Sequence, residues 1–302
     1  MKFITKEPQI LIDILLQQNF FNKRSSAKSA LKYGSVNVND LVVKKADLLL
    51  NKGDVVLVNS KKEIVKIERE DRAKKFPIEI LMEDDSIIVI NKPAGLLSVP
   101  LDNKSKKSLF SITDKYIRLM SNNEKKAFTV NRLDRDFSGI VLFAKTFVDQ
   151  QKLTKNWKQY VKKYYALVEN KPKETDGVIK SKLKENSIGL VYTDNSSQYA
   201  KEAITNYRLL SSNNEYSLLK IEIETDVKNQ IRAHLSENKT PIAGDKNYGA
   251  ETNPIGKLGI HLFSVDFIHP KTGKEVVVKT QVPYNFNAVI KNKKLKENKI
   301  KR

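Results

Sequence analysis

The sequence predicts an α+β fold in two domains, and three features of its 302 residues lead to this prediction. Short apolar runs bounded by turn residues are typical of strands buried in a sheet. Stretches with apolar residues at helical spacing are fewer, and they lie before and between those runs. Residues 61–77 are dense in charges of both signs, which indicates a linker between a small N-terminal α/β module, residues 1–60, and a larger domain, residues 78–288.

The N-terminal module begins with two predicted helices. Apolar residues recur at helical spacing over residues 9–20 and again over residues 22–33. The turn pair Asn39-Asp40 between two short apolar runs predicts a β-hairpin, and a further strand is expected over residues 55–58.

A basic stripe is expected on the second of these helices. Arg24, Lys28 and Lys32 are spaced four residues apart, so they share one helix face. Such a face presents cations to a phosphate backbone. The alternative is a helix face that only stays solvated, and the local pattern leaves both interpretations open.

The overall charge indicates a polyanionic partner. Lys and Arg number 55 against 35 Asp and Glu, which gives a formal net charge of +20. Nucleic acid fits this charge better than a membrane surface, because no basic helix with a strong apolar face stands out. Lysines that only maintain solubility are the alternative. Residues 289–302 form a basic tail that is expected to add nonspecific affinity for nucleic acid.

Composition also excludes several kinds of chemistry. The chain has no cysteine, which removes disulfides, thiolate nucleophiles and most zinc sites. His234, His261 and His269 lack metal-ligand spacing, and no phosphate-loop motif is present, so neither a metal nor a nucleotide cofactor is expected. No apolar run reaches the length of a membrane span and the N-terminus lacks the apolar centre of a signal peptide, so a cytoplasmic protein is expected.

The larger domain begins with a predicted pair of strands. Two apolar runs within residues 78–90 flank a turn that contains Asp84 and Asp85. We interpret these aspartates as turn residues, because Asp favours turns through hydrogen bonds to its own backbone. The second run continues into Asn-Lys-Pro-Ala-Gly at residues 91–95.

The stretch with the most candidate reactive groups is Asn-Arg-Leu-Asp-Arg-Asp-Phe-Ser-Gly at residues 131–139. It lies between two apolar runs typical of short buried strands, so a loop at the end of a sheet is predicted. Asp134 and Asp136 either take part in catalysis from this loop or only pair with Arg132 and Arg135 in a charged turn. Local chemistry leaves both interpretations open.

A helix is predicted over residues 146–157 and a strand over residues 161–168. Tyr164 and Tyr165 are neighbours in this strand, so their side chains leave on opposite faces. Only one of the two can therefore point into a given pocket.

Several segments, in the same order, resemble the motifs of the RluA-type RNA pseudouridine synthases. Residues 131–139 are similar to H-R-L-D-x-x-T-S-G, and residues 91–95 match a second motif of that family. Residues 162–168 resemble K-x-Y-x-A-x-V, and residues 225–249 resemble T-G-R-x-x-Q-I-R-x-H-L followed by P-I-x-G-D-x-x-Y-G. Residues 8–60 resemble the S4-like RNA-binding module that often precedes the synthase domain.

Four positions depart from these motifs. Asn131 replaces the usual His, and Phe137 replaces the usual Thr. Asp226 and Val227 replace the usual Gly and Arg, which removes a backbone or phosphate contact from that part of the third motif.

The resemblance implies a mixed, mainly antiparallel sheet with flanking helices. It also implies a cofactor-free isomerase that breaks the glycosidic bond of a uridine, turns the uracil and rejoins it through carbon 5. In such an enzyme Asp134 attacks the anomeric carbon or removes a nearby sugar proton, and the sequence leaves both routes open. Arg232 is expected to pair with Asp134, and Tyr164 to stack on the uracil and help to remove the proton from carbon 5.

The resemblance further implies how RNA is bound. The target nucleotide must leave the RNA stack, and Arg132 is expected to fill the gap. The other expected RNA contacts combine motif residues with the basic stripe: Lys92, Leu133, Gln230, Ile231, Arg24, Lys28 and Lys32. The expected substrate is large-subunit ribosomal RNA, with transfer RNA as the second candidate, and the enzyme is expected to be a monomer.

A catalytically silent RNA-binding or ribosome-assembly factor on the same fold is the alternative. The four departures from the motifs would favour it. The intact Asp134, Tyr164 and Arg232 favour the enzyme.

Overall fold

The chain forms two compact units, Met1–Phe76 and Pro77–Arg302. The computed structural model describes residues 1–59, 73–101 and 107–292. The predicted linker therefore lies outside the described residues over 61–72, as does the predicted basic tail over 293–302. Within the described ranges, every helix is too short or too polar to cross a lipid bilayer.

The N-terminal unit packs two helices on short antiparallel strands. Its elements are β1 (Lys2–Ile4), β2 (Gln9–Ile10), α1 (Leu11–Gln17), α2 (Arg24–Lys32), β3 (Val36–Val38), β4 (Leu41–Val42), β5 (Leu49–Leu50) and β6 (Val55–Val58). Four of the strands form a sheet in the order β1-β6-β3-β4, and β2 pairs with β5. The two predicted helices, the hairpin and the last strand are confirmed.

Helical spacing of apolar residues explains why α1 and α2 pack together. Leu11 and Leu15 of α1 are fully buried in one cluster with Ala27 and Leu31 of α2. The β3–β4 turn places Asn39 and Asp40 at φ 48° and 65°. Both residues tolerate this left-handed conformation, which suits the tight turn of a hairpin.

The C-terminal unit is built on one large sheet. Its elements are β7 (Glu79–Glu83), β8 (Ile87–Lys92), α3 (Leu109–Met120), β9 (Phe128–Thr129), β10 (Ser138–Ala144), α4 (Phe147–Asn156), β11 (Val161–Glu169), β12 (Asp176–Glu185), β13 (Val191–Thr193), β14 (Lys201–Ser212), β15 (Tyr216–Ile223), α5 (Gln230–Glu237), β16 (Ile260–Ile268), β17 (Glu275–Lys279) and α6 (Tyr284–Ile290).

The strand order of this sheet is β13-β12-β14-β15-β11-β16-β10-β8-β7, with β17 beside β16 and β9 beside β10. Among the described strands, the pairing of β10 with β16 is parallel and the other pairings are antiparallel. The expectation of a mixed, mainly antiparallel sheet with flanking helices is therefore confirmed.

The parallel pairing is short and depends on a glycine. Only Ser138 and Gly139 of β10 are in register with β16, opposite His261 and Leu262. Gly139 has φ 124°, and a Cβ atom at this position would lie 2.3 Å from the carbonyl oxygen of Leu262. No other residue fits without moving one of the two strands.

Helix α4 begins at an N-cap threonine, Thr146. The Thr146 hydroxyl accepts a hydrogen bond from the Asp149 backbone N–H at 3.1 Å and donates one to the Asp149 carboxylate at 2.8 Å. The helix is followed by a 3₁₀ turn, Trp157–Gln159, that leads into β11. The predicted helix and strand in this region are confirmed.

The turn interpretation of Asp84 is also confirmed. Asp84 accepts hydrogen bonds from the backbone of Ser86 and Ile87 at 2.7 and 2.9 Å, and it bonds to His269 at 2.7 Å. His261 lies buried between the hydroxyls of Ser138 and Thr280, and its burial lowers its pKa to about 4. It is a neutral packing residue.

Candidate functional site

The signature loop, residues 130–137, connects β9 to β10 and is fixed to the sheet by Asn131. This side chain is buried. Its Oδ1 accepts a hydrogen bond from the Leu142 backbone at 2.8 Å, and its Nδ2 donates to the Ile140 carbonyl at 3.2 Å. Asn131, which replaces the usual His of the motif, therefore holds the loop to β10 and has a structural role.

A second set of contacts holds the loop to the segment after β8. The Ser98 hydroxyl donates to the Leu133 carbonyl at 2.6 Å and accepts from the Leu133 N–H at 3.0 Å. The Gly95 N–H donates to the Arg135 carbonyl at 2.7 Å. Sequence reasoning missed Ser98, and its place shortly after the Asn-Lys-Pro-Ala-Gly motif is the signal that could have identified it.

With its backbone fixed in this way, the loop turns the side chains of Arg132 and Asp134 outward, and both are exposed. They line one wall of a cleft of about 680 Å³. The other described lining residues are mainly apolar: Leu97, Ser98, Val99, Leu101, Thr129, Val130, Asn131, Leu133, Arg135 and Trp157. A carboxylate that lines a mainly apolar cleft next to arginine side chains can react with a bound sugar or base.

Lys92 lies beneath the loop and is fully buried. Its ammonium donates to the carbonyls of Leu96, Pro93 and Arg135 at 2.7, 3.1 and 3.1 Å. Burial lowers the pKa of Lys92 to about 8, although the charges of Asp136 and Asp134 oppose the shift. This side chain therefore supports the loop from within the protein, and its expected contact with RNA stays a prediction.

Replacing Lys92 by methionine should change how stability depends on pH. The unfolded chain keeps the lysine proton up to its ordinary pKa of 10.5, whereas the folded chain loses it from about pH 8. The free-energy cost of burying this charge is thus fully present below pH 8 and disappears towards pH 10.5. Across this window, the free energy of unfolding of the wild type should therefore rise by about 3 kcal/mol relative to that of Lys92→Met. Urea unfolding at both ends of the window measures the gain, and parallel pH profiles for the two proteins would contradict it.

Arg232, on α5, forms its ion pair with a different carboxylate from the one expected. In the described part of the chain its Nε and Nη2 contact the two oxygens of Asp245 at 2.6 and 2.7 Å, and the direct pair with Asp134 is not formed. The Asp245 side chain is 1% exposed, so its charge requires a close cationic partner. The guanidinium also lies over the ring of Tyr248, 4.6 Å from its centroid.

Asp134 still acts on Arg232 through space. Burial opposes the charged guanidinium, but the hydrogen bonds and charge of Asp245, followed by the charges of Tyr248 and Asp134, raise the pKa of Arg232. Arg232 is therefore a fixed cation within electrostatic range of the exposed carboxylate, held in place by Asp245.

Tyr164 is half-buried on β11 and packs against the two apolar clusters that flank this strand. Burial and then the charge of Asp226 raise its pKa above the ordinary value, so the phenol keeps its proton at neutral pH. Tyr165 leaves on the opposite face and stacks on Phe263 at 3.8 Å between ring centroids. The predicted separation of the two tyrosines is confirmed.

Replacing each tyrosine by phenylalanine should separate their roles. Tyr164→Phe keeps the ring and loses the hydroxyl, and we expect its turnover on RNA to fall about tenfold or more. Tyr165→Phe keeps the stack on Phe263 and should remain within about twofold of the wild type, since its face is away from the loop. Release of the hydrogen on carbon 5 from labelled RNA measures both, and equal losses would contradict the assignment.

Gln230 and Ile231, which are expected to contact RNA, lie inside the protein, and that contact stays a prediction. Gln230 is 3% exposed and uses both ends of its amide within the fold. It accepts from the Thr225 hydroxyl at 2.8 Å and donates to the Ile204 carbonyl at 2.9 Å. Ile231 is buried in the apolar cluster that Phe137 and Tyr164 contact. These residues fix the start of α5 and thereby the position of Arg232.

Asp226 has its own partner in this chain. Its carboxylate pairs with the ammonium of Lys162 on β11 at 3.2 Å, and the Lys162 side chain is 3% exposed. The Val227 N–H donates to Gln230 at 3.2 Å. In place of the Gly-Arg of the family motif, this chain has Asp226, which pairs with the buried Lys162, and Val227, whose backbone N–H bonds to Gln230. Phe137 likewise fills space in an apolar cluster.

The basic stripe of the N-terminal unit lies on α2 as predicted, with all three side chains exposed. Arg24 pairs loosely with Asp13 at 3.3 Å. In the residues that the structure describes, no group of three or more His, Asp or Glu side chains has the arrangement of a metal site.

Comparison with known proteins adds independent findings. The family model described as RNA pseudouridylate synthase matches residues 86–237. An uncharacterised RNA pseudouridine synthase of Mycoplasma pneumoniae is 34% identical over 87% of this chain and 86% of that protein. The ribosomal large subunit pseudouridine synthase C of Rickettsia typhi is 31% identical over 86% of this chain and 89% of that protein.

A solved structure shares the fold. The human RNA pseudouridylate synthase domain containing 4 superimposes with a TM-score of 0.59 at 22% identity, over 73% of this chain and 95% of that one.

Proposed function

The chain belongs to the RNA pseudouridine synthase family, and on this premise we propose that it isomerises a uridine of large-subunit ribosomal RNA to pseudouridine. The observation that carries the proposal is the exposed Asp134 at the wall of a cleft, on a loop that matches the family signature. The net charge of +20 suits a polyanionic substrate. The Rickettsia typhi relative, named for the ribosomal large subunit, supports the choice of RNA.

Asp134 is the group proposed to react. As a carboxylate it either attacks the anomeric carbon or removes a nearby sugar proton, and in both routes the bond from that carbon to uracil breaks. The uracil then turns and bonds to the anomeric carbon through carbon 5, which either displaces Asp134 from that carbon or is accompanied by return of the sugar proton. Carbon 5 loses its proton, and the ring nitrogen that left the sugar gains one. Atoms balance without an oxidant or a second substrate, so the reaction is an isomerisation.

Two cations with fixed positions act on this carboxylate through space. Lys92 and Arg232 both interact with the charge of Asp134 and are anchored by other contacts, to backbone carbonyls and to Asp245 respectively. Because neither has to reorganise, they offset the negative charge that develops on the departing uracil. Tyr164 supplies an aromatic face for the uracil, and its protonated hydroxyl acts as a hydrogen-bond donor beside it.

Arg132 is proposed to enter the RNA. The target nucleotide must leave its stack before Asp134 can reach the sugar, and an exposed guanidinium two residues away can take the vacated place.

The N-terminal unit, residues 1–60, is proposed to be an S4-like RNA-binding module joined through residues 61–77 to the synthase domain, residues 78–288. Its exposed cationic face on α2 supports this role. The protein is proposed to act in the cytoplasm as a monomer.

Neutralising the stripe with Arg24→Gln, Lys28→Gln and Lys32→Gln together should weaken RNA binding. Each lost phosphate contact should lower the slope of log affinity against log salt by roughly 0.7. Turnover at saturating RNA should stay unchanged, because the reacting groups are untouched. Filter binding over a salt series measures the effect.

A matched control is Lys44→Gln, Lys45→Gln and Lys52→Gln, which removes the same charge from exposed positions of the same unit off α2. Equal weakening in both triple variants would mean that only net charge matters, and the role of α2 would be wrong.

Mapping pseudouridines in cellular RNA with and without this protein tests the proposed function. One or more uridines of the large ribosomal RNA should lose the modification in its absence. Loss confined to transfer RNA would move the substrate to the second candidate. No loss in any RNA, together with no activity of the purified protein, would favour the silent binding factor.

A further inference from the structure

Trp157 is the single tryptophan of the chain and lies at the cleft beside the signature loop. It is the first residue of the 3₁₀ turn after α4, at a position that the family motifs do not include. The residue is half-buried: it packs against the main apolar cluster and also lines the cleft together with Arg132 and Asp134.

The indole is held firmly from its protein side. The buried ammonium of Lys162 donates to the Trp157 carbonyl at 3.0 Å and lies 5.5 Å from the ring centroid. Asp226 fixes that ammonium, and the ring of Tyr160 meets the indole edge-on at 6.1 Å between centroids. A large aromatic surface that is already immobilised loses little entropy when a ligand stacks on it.

The rest of the cleft matches one kind of ligand. Leu101, with 81% of its surface exposed, and Leu97 present apolar surface, while Arg132 and Arg135 supply exposed cations. Apolar and aromatic surface next to cations is the complement of an unpaired nucleobase with its phosphate. An acidic peptide would use the cations and leave the flat indole without a matching partner.

We propose that Trp157 is a stacking platform for an RNA base next to the target uridine. This inference rests on the proposed function, in which Tyr164 takes the target uracil and Asp134 reacts with its sugar. The neighbouring nucleotide then lies on Trp157 with its phosphate near Arg135, so the cleft orders the single strand on one side of the reacting nucleotide.

The fluorescence of Trp157 tests this directly, because no other tryptophan contributes to the signal. Short single-stranded oligouridine should quench the emission as it binds. Inorganic polyphosphate, which carries the charge without bases, should bind without matching that quenching. Binding of oligouridine with unchanged emission, or equal quenching by polyphosphate and by an acidic peptide, would overturn the proposal.

Variants add a second measurement, the affinity for labelled oligouridine. Trp157→Leu should weaken binding about fivefold or more, as expected for one lost base stack, whereas Trp157→Phe should lose less. The control is Phe147→Leu, which removes an exposed aromatic ring from the other end of α4, outside the cleft lining, and should bind like the wild type. Unchanged affinity of a folded Trp157→Leu would overturn the platform.

Failure of the inference and failure of the proposed function give different results. If the wild type forms pseudouridine in ribosomal RNA while Trp157 responds to no base, only the platform is wrong. If the wild type forms pseudouridine in no RNA, the proposed function is wrong, and the assignment of a base next to the target falls with it.

Discussion

Asp134→Asn is expected to lower pseudouridine formation by several orders of magnitude while RNA affinity stays the same or rises slightly. The amide keeps the size of the carboxylate and most of its hydrogen-bonding capacity, but it can neither attack the anomeric carbon effectively nor act as a base. Affinity is preserved because the Asp134 side chain is exposed and forms no hydrogen bond within the described part of the chain, and because one negative charge near a polyanion is removed. Hydrogen release from carbon 5 of labelled RNA measures the loss.

Asp136→Asn is the internal control for this prediction. Asp136 lies on the same loop, is also exposed and also interacts with the charge of Lys92. If both carboxylates were only turn anions, the two substitutions would act alike. Full activity in a folded Asp134→Asn protein would falsify the assignment of the reacting group.

Gly139→Ala is expected to have the largest effect on folding, with a loss of more than about 4 kcal/mol or no soluble protein. The new Cβ would lie 2.3 Å from the Leu262 carbonyl oxygen and 2.6 Å from its nitrogen, both in the backbone of β16. Neither atom can move without separating β10 from β16. Thermal melting and the soluble yield measure the loss.

Gly273→Ala separates this clash from backbone conformation. Gly273 has φ 70° but nothing within 4 Å of the added Cβ, so only the left-handed conformation is penalised, by about 1–2 kcal/mol. Similar melting temperatures for the two variants would mean that the contact with Leu262 is readily relieved.

Features set by neighbouring residues could be predicted from the sequence. The Asn39-Asp40 turn, the opposite faces of Tyr164 and Tyr165 and the turn role of Asp84 depend on φ preferences and on the two-residue period of strands. The loop that carries Asp134 was predicted for the same reason, because apolar runs on both sides indicate two strands.

Contacts between distant segments could not be predicted in this way. The preference of Arg232 for Asp245 over Asp134 depends on the nearly complete burial of Asp245, which sequence spacing does not reveal. Lys92 is expected to contact RNA because it belongs to a family motif, and the motif does not reveal that its ammonium is buried and donates to three backbone carbonyls. For both Arg232 and Lys92, burial in the folded protein determines which groups the side chain contacts.

The two-residue pairing of β10 with β16 divides the large sheet into two halves that share few backbone contacts. One half, β7 to β10, carries Lys92 and the loop with Asp134, while the other carries Tyr164 on β11 and supports Arg232 through α5. The two halves are held together mainly by apolar packing of Ile140 and Leu142 of β10 with Leu262 and Val265 of β16. The distance between Asp134 and Tyr164 therefore depends on side-chain packing between β10 and β16. Substitutions in that packing would change the catalytic rate without altering a reacting group.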